Sequence, residues 1–290
     1  MSFSTPGSPP PQQQPAQPPY AAAPYPGQPG AGQPYPGQPY PAQPYQGQPY
    51  PGQAPYPGQP PYAGPPLQPV DVLRSPQGLA TALTVLLSLA AAVNLFSSGA
   101  NLFARSLMTD LIADPDKVSD SSLDLSDVLT GVAGSLQLLA LVGTAAVFIT
   151  WFYRVRVNGE IFRHDGFTQT RGWAIGGWFI PLANLFFPFR TAVDIWAAST
   201  QLAPDGSHRR VSTAPVVSWW VVWVLAAISD RIFAQLYKKA ETPEALQTAS
   251  SVGFVSDLLM VAAAVLAIVF VRKLTAMQNT KAAQGPYASV

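Results

Sequence analysis

Apolar residues in this chain come in long runs rather than in alternation, and short polar tracts separate the runs. Leu79 to Phe96 is an 18-residue stretch without a charge, and Val128–Tyr153, Pro215–Tyr237 and Val252–Val271 are comparable. A helix of that length crosses the ~30 Å hydrocarbon layer of a bilayer, whereas an aqueous core needs only one apolar face per helix. The pattern therefore predicts an all-α membrane protein with four transmembrane helices. Ser75-Pro76 is expected to open the first helix, and Ser126 or Asp127 to cap the second. Ser250 or Ser251 is expected to cap the last, with Thr242-Pro243-Glu244 forming a short helical turn before it. Asn94 is read as a partner for another helix rather than as a transport ligand.

Arg171 to Thr200 breaks this pattern. It is apolar and aromatic, yet Gly176, Gly177, Pro181 and Pro188 interrupt it and Asn184, Arg190 and Asp194 punctuate it. As a helix, Trp173–Phe187 would cover only about 22 Å, and Pro181 would break its hydrogen bonds. An interfacial or re-entrant stretch is the preferred reading, with a fifth, kinked span as the alternative. Pro188 suits the first turn of a new helix. On that helix Phe189, Val193, Trp196 and Thr200 share one face, and Arg190 and Asp194 share another.

Residues 1–75 follow a different rule. Prolines, glutamines, glycines and tyrosines recur there in repeats such as GQPYPGQPY, and the first charged side chain is Asp71. So much proline blocks both helix and ladder, and too few aliphatic residues remain to offset the entropy of ordering. The segment is expected to be a disordered, partly polyproline-II tail with no signal-peptide pattern at Met1. Composition favours a solvated spacer; spaced tyrosines that contact protein partners are the sharper reading. Residues 76–274 are then the membrane domain, and 275–290 a flexible C-terminal tail.

Charge decides the expected orientation. Of 16 Lys and Arg residues, four spans with internal ends place eleven on the cytoplasmic side and five outside. A fifth span would make the division eight against eight. Cytoplasmic flanks are enriched in Lys and Arg, so both termini are expected in the cytoplasm, with Trp151, Tyr153, Arg154 and Arg156 at the inner interface. The net charge of +1 gives no general pull toward nucleic acid.

Candidate chemistry is sparse. Cysteine is absent, which excludes disulfides and thiolate ligands, and only His164 and His208 carry imidazoles. Asp114, Asp116 and Asp120 resemble calcium ligands only weakly. Counted from Asp114, the sixth and twelfth positions hold Ser119 and Leu125 instead of the glycine and glutamate such a loop requires. No catalytic constellation, metal site or cofactor motif is seen. Charges at membrane depth invite a functional reading by default. Arg231 and Asp257 fall at similar depth on consecutive helices, so either an interhelical ion pair or separate snorkelling to the interface is expected. Gly131, Gly134 and Gly143 on the second span, and the spacing Gly172–Gly176, are the kind of small residues that let membrane helices approach.

The run WFYRVRVN, followed by RGWAIGGWFIPLANLFFPF and DIWAAS, resembles a bacterial multi-pass membrane family, domain of unknown function 4328. The matching positions are Trp151, Tyr153, Arg154, Asn158, Gly172, Trp173, Gly177, Trp178, Pro181, Asn184, Pro188, Ile195, Trp196 and Ser199. The resemblance centres on residues 145–200 and leaves the tail out. It implies an integral protein of the cell membrane with no assigned activity and no catalytic residues. The expected role is non-enzymatic: a scaffold, sensor or accessory subunit with a proline-rich cytoplasmic tail, and a possible homo-oligomer. The alternative is a small transporter or channel with the broken Arg171–Thr200 stretch lining its path, which requires a polar, water-filled seam around Asn184, Asn94 and Gln137.

Overall fold

In the computed structural model the described residues are 71–203, 209 and 211–284. The expectations for the N-terminal tail up to residue 70, for His208 and for residues 285–290 lie outside them. Among the described residues the chain is helical, and four helices are long and apolar enough to cross a membrane. These are α1 (Gln77–Ala113), α2 (Asp120–Phe162), α5 (Ala214–Lys238) and α6 (Pro243–Ala283). Two shorter helices, α3 (Trp173–Gly176) and α4 (Phe187–Ala198), lie between α2 and α5. The central stretch is therefore broken rather than a fifth continuous span.

Lipid is the only solvent that suits the outer surface. Val85, Leu89, Leu138, Leu139, Leu141 and Val265 all point outward, and Leu139 is 70% exposed. In water that apolar area would cost about 25 cal/mol per Å²; against acyl chains it costs little. The helices also exceed the layer they cross. At 43 residues α2 is about 65 Å long, roughly twice the hydrocarbon thickness, so its ends project on both sides.

Three boundaries differ from expectation. Helix α2 starts at Asp120, where the Ser119 side chain accepts from the Ser122 N–H, and not at Ser126 or Asp127. Negative charge suits the positive end of the helix dipole, and the acidic tract between the first two apolar runs is largely helical. Helix α6 starts at Pro243, capped by Thr242 onto the Ala245 N–H, so the short turn expected there is its first turn. Its other end runs to Ala283, well past Val271, and Thr275, Gln278 and Lys281 on it are buried. Residues 275–283 are thus part of the bundle and not a loose tail.

Helices α1 and α6 form the central pair; α2 leans on α1 and α5 on α6. The core is an aromatic cluster near one end of the bundle. Trp219 stacks on Phe270 at 4.8 Å between ring centroids, Trp151 meets Phe270 edge-on at 5.7 Å, and Trp178 meets Phe148 edge-on at 5.4 Å. Trp196 from α4 also reaches Phe270, which ties the broken stretch to the bundle. By contrast a Cβ at Gly131, Gly134, Gly143, Gly172 or Gly176 would touch nothing within 4 Å. Gly131, Gly134 and Gly143 of α2 are therefore not used for close packing within one chain, contrary to their expected role.

Candidate functional site

The end of the bundle that carries the Arg154–Phe162 segment is a cluster of buried polar side chains. Asn158 is its hinge pin. Its Oδ1 accepts from the Arg74 backbone N–H at 3.1 Å, and its Nδ2 donates to the Arg74 carbonyl at 2.8 Å and to Gln278 Oε1 at 3.1 Å. An asparagine used this way mimics a backbone strand partner and locks the residue it faces. Gln278 in turn donates to the Val155 carbonyl at 2.9 Å and to Ser199 Oγ at 3.2 Å. One glutamine on α6 thus fastens α2 and the C-cap of α4, and through Asn158 it is linked to the segment ahead of α1.

Two further anchors surround it. Arg156 is only 2% exposed. It donates to Glu160 Oε2 at 2.9 Å and to the Gln169 carbonyl at 2.7 Å, and lies 3.6 Å over the Phe167 ring. Glu160 also accepts from Arg171 at 2.7 Å, and Arg171 pairs with Asp71. The hydrogen bond from Arg171 holds the Asp71 carboxyl below its ordinary range, and Asp71 and Glu160 together raise the Arg171 guanidinium. Lys281 is the second anchor. Its Nζ donates to the carbonyls of Ala198 and Thr200, both at 2.8 Å. A cation on the last carbonyls of α4 satisfies groups a helix C-terminus leaves open, and it sits at the negative end of the dipole.

Residues Asp71–Ser75 are consequently held by the membrane domain at three points: Asp71 by Arg171, Arg74 by Asn158, and Ser75 by Arg154, which donates to its carbonyl at 3.3 Å.

The residues singled out in the sequence separate into groups. Trp151, Asn158 and Trp196 are buried at this end, and Trp151 Nε1 donates to Thr275 Oγ1 at 3.2 Å. Tyr153 and Arg154 lie at its surface. Trp173 packs edge-on against Phe187 at 4.4 Å, and Trp178 packs among Phe148, Phe152, Trp220 and Trp223. Gly177 permits the first contact: a Cβ there would lie 2.8 Å from the Trp173 carbonyl. Pro188 is buried at the start of α4, while Pro181 is exposed beside Leu182, whose φ of 64° marks the sharpest turn of the stretch. Phe179, Leu182 and Phe186 project from this turn, with Leu182 75% exposed, and suit contact with lipid.

Arg190 and Asp194 are not ion-paired; Arg190 is exposed, and burial raises the Asp194 carboxyl despite Arg190 nearby. The expected Arg231–Asp257 pair is absent, and Asp257 does not snorkel either. Arg231 is exposed, whereas Asp257 is buried and bonded to Asn101 and Gln137, each at 2.9 Å. Asn94 does find another helix, accepting from Gln137 at 3.0 Å. Asn184 does not join that group. His164 and Asp165 are exposed in a turn. Among the described residues no three acidic or imidazole side chains could hold a metal ion.

Arg156, Glu160, Gln278 and Lys281 were not foreseen as site residues. The signal for two of them was an i, i+4 pair, Arg156–Glu160; Gln278 and Lys281 stood in a polar C-terminal stretch that looked like a tail.

A family model described as Domain of unknown function (DUF4328) matches residues 114–276. No curated protein and no solved structure matches the chain.

Proposed function

The chain belongs to the family described as Domain of unknown function (DUF4328), and from that premise and the geometry above we propose a non-enzymatic membrane scaffold, sensor or accessory subunit. It holds its proline-rich N-terminal segment at the cytoplasmic face of the cell membrane, where that segment meets protein partners. The observation that carries this reading is the grip on residues 71–75. A transporter has no need to fix the point where a tail leaves the bundle, whereas a display platform does. The anchors Asn158, Arg154 and Arg171 lie within the family match, and all three hold the segment that follows the tail. The excess of Lys and Arg on the flanks at this end supports its cytoplasmic placement.

The transporter reading required an open polar seam joining Asn184, Asn94 and Gln137. Gln137 and Asn94 bond directly to each other, and Asn184 stands apart. Direct side-chain pairing between helices supports packing over permeation.

The test has two arms. Proximity labelling from the tail, compared with a version lacking residues 1–70, is expected to yield neighbours that depend on the tail. Proteoliposomes holding the version without the tail are expected to show no solute or ion flux above protein-free vesicles. Robust flux from that truncated protein would overturn the proposal.

A further inference from the structure

We propose that Asp257, with the amides of Asn101 and Gln137, forms a binding site for a monovalent alkali cation between α1, α2 and α6. Asp257 lies fifteen residues before Arg272 on α6, about 22 Å along the helix, and so inside the ~30 Å hydrocarbon layer. Its residue is 6% exposed. Oδ1 accepts from Gln137 Nε2 and Oδ2 from Asn101 Nδ2, both at 2.9 Å.

No protein cation balances this carboxylate. Among the described residues it makes no ion pair. On α1 the nearest charge, Arg105, is bound to Ser251 Oγ at 2.9 Å. Helix α2 offers no charged side chain between Asp127 and Arg154. On α5, Asp230 is close enough to repel Asp257, and the neighbouring Arg231 is exposed. Amide donors ease the burial of a carboxylate but do not cancel its charge in a low-dielectric layer, where either a proton or a bound cation must do so.

The ligand set is also suitable. Asn101 Oδ1 and Gln137 Oε1 accept no hydrogen bond among the described residues; a half-turn of the Asn101 amide presents a free oxygen beside the carboxylate, whereas Gln137 does so only by giving up its bond to Asn94 Oδ1. Carboxylate and amide oxygens are hard donors that suit alkali and alkaline-earth ions, and the single buried carboxylate of Asp257 matches a single positive charge. The backbone makes room for this arrangement: a Cβ at Gly253 would lie 2.7 Å from Asn101 Oδ1 and 2.8 Å from the Phe233 ring. This site does not involve the grip on the tail, so it stands or falls separately from the scaffold reading.

The experiment measures thermal unfolding of the full chain in nanodiscs across a sodium chloride series, with choline chloride keeping ionic strength constant. Sodium is expected to raise the unfolding temperature saturably while choline does not, and Asp257→Asn is expected to abolish the rise. Should Asp257→Asn fail to fold, Gly253→Ala, which crowds the Asn101 amide, is expected to weaken the sodium dependence. Indifference of the unmutated chain to sodium overturns the site, as does a response to pH alone or to calcium in preference to sodium.

Discussion

The two ends of the bundle treat their polar residues in opposite ways. Where α1 meets α2, Asp110, Asp116, Asp120, Asp124 and Asp127 all face outward, and the local ion pair Asp114–Lys117 is exposed. Side-chain hydrogen bonds between helices there are surface bonds such as Gln247–Thr109 at 2.7 Å. At the other end Arg156, Asn158, Gln278 and Lys281 are buried and span every neighbouring segment. The first set solvates turns between helices, and the second is core. A polar flank next to a membrane helix therefore has two distinct fates. A third element decides between them, here the broken stretch that folds back over one end and supplies carbonyls and rings for the buried donors.

Substitutions that sharpen this contrast differ in size. Trp151→Ala removes a fully buried ring and its bond to Thr275, and about 3–5 kcal/mol of stability is expected to go with it. Leu139→Ala on the same helix faces lipid and is expected to change stability by about 0.5 kcal/mol or less. Unfolding midpoints in a denaturing-detergent titration measure both, and equal losses would erase the distinction between the two halves of α2. Asn158→Ala comes next. It leaves the backbone groups of Arg74 and Gln278 Oε1 without partners, for an expected cost of about 2–3 kcal/mol. Amide exchange at Arg74, followed by mass spectrometry, is expected to accelerate in that variant while exchange in the α1–α2 turn stays unchanged.

Acid separates two carboxylates of the same end. Asp71 is held low by Arg171. Its contribution is complete above the unfolded value and is lost as pH falls through the lower, folded one. The grip on residues 71–75 should therefore loosen only below the ordinary carboxylate range, read as faster Arg74 exchange. Asp71→Asn is expected to remove that step. Asp194 is raised by burial, so its sign is reversed. Its contribution is complete below the unfolded value and declines as pH rises through the folded one. Asp194→Asn is accordingly expected to stabilise the protein slightly at neutral pH and to lose that advantage in acid. The smallest expected effect is that of Arg190→Gln, an exposed and unpaired cation, whose midpoint should match the parent.

Much of this was legible in the order of residues. Run length and the absence of charge give the four spans, because a bilayer imposes a length and forbids unpaired backbone. Pro188 marked the start of α4, and Asn94 was read correctly as a helix-to-helix contact. Where helices begin and end was harder to read. Ser119 and Thr242 cap α2 and α6 earlier than the apolar runs indicate, since helix formation needs caps and dipole complement but no lipid. The Arg231–Asp257 pair was a reasonable expectation from depth alone, and it failed because depth does not specify the face. Rotation about each helix axis turned Asp257 toward α1 and α2 and left Arg231 outside.

What the chain order determined, then, is a solvent and a set of lengths: which segments sit in lipid, which stretch cannot be a continuous helix, and which flanks are basic. The folded structure alone decided partners. Hydrogen bonds from Asn158 to Arg74, 84 positions away, and from Lys281 to Ala198, 83 positions away, have no local signature. They depend on how separate helices rotate and tilt against one another, and that is set by the packing of the aromatic core between them.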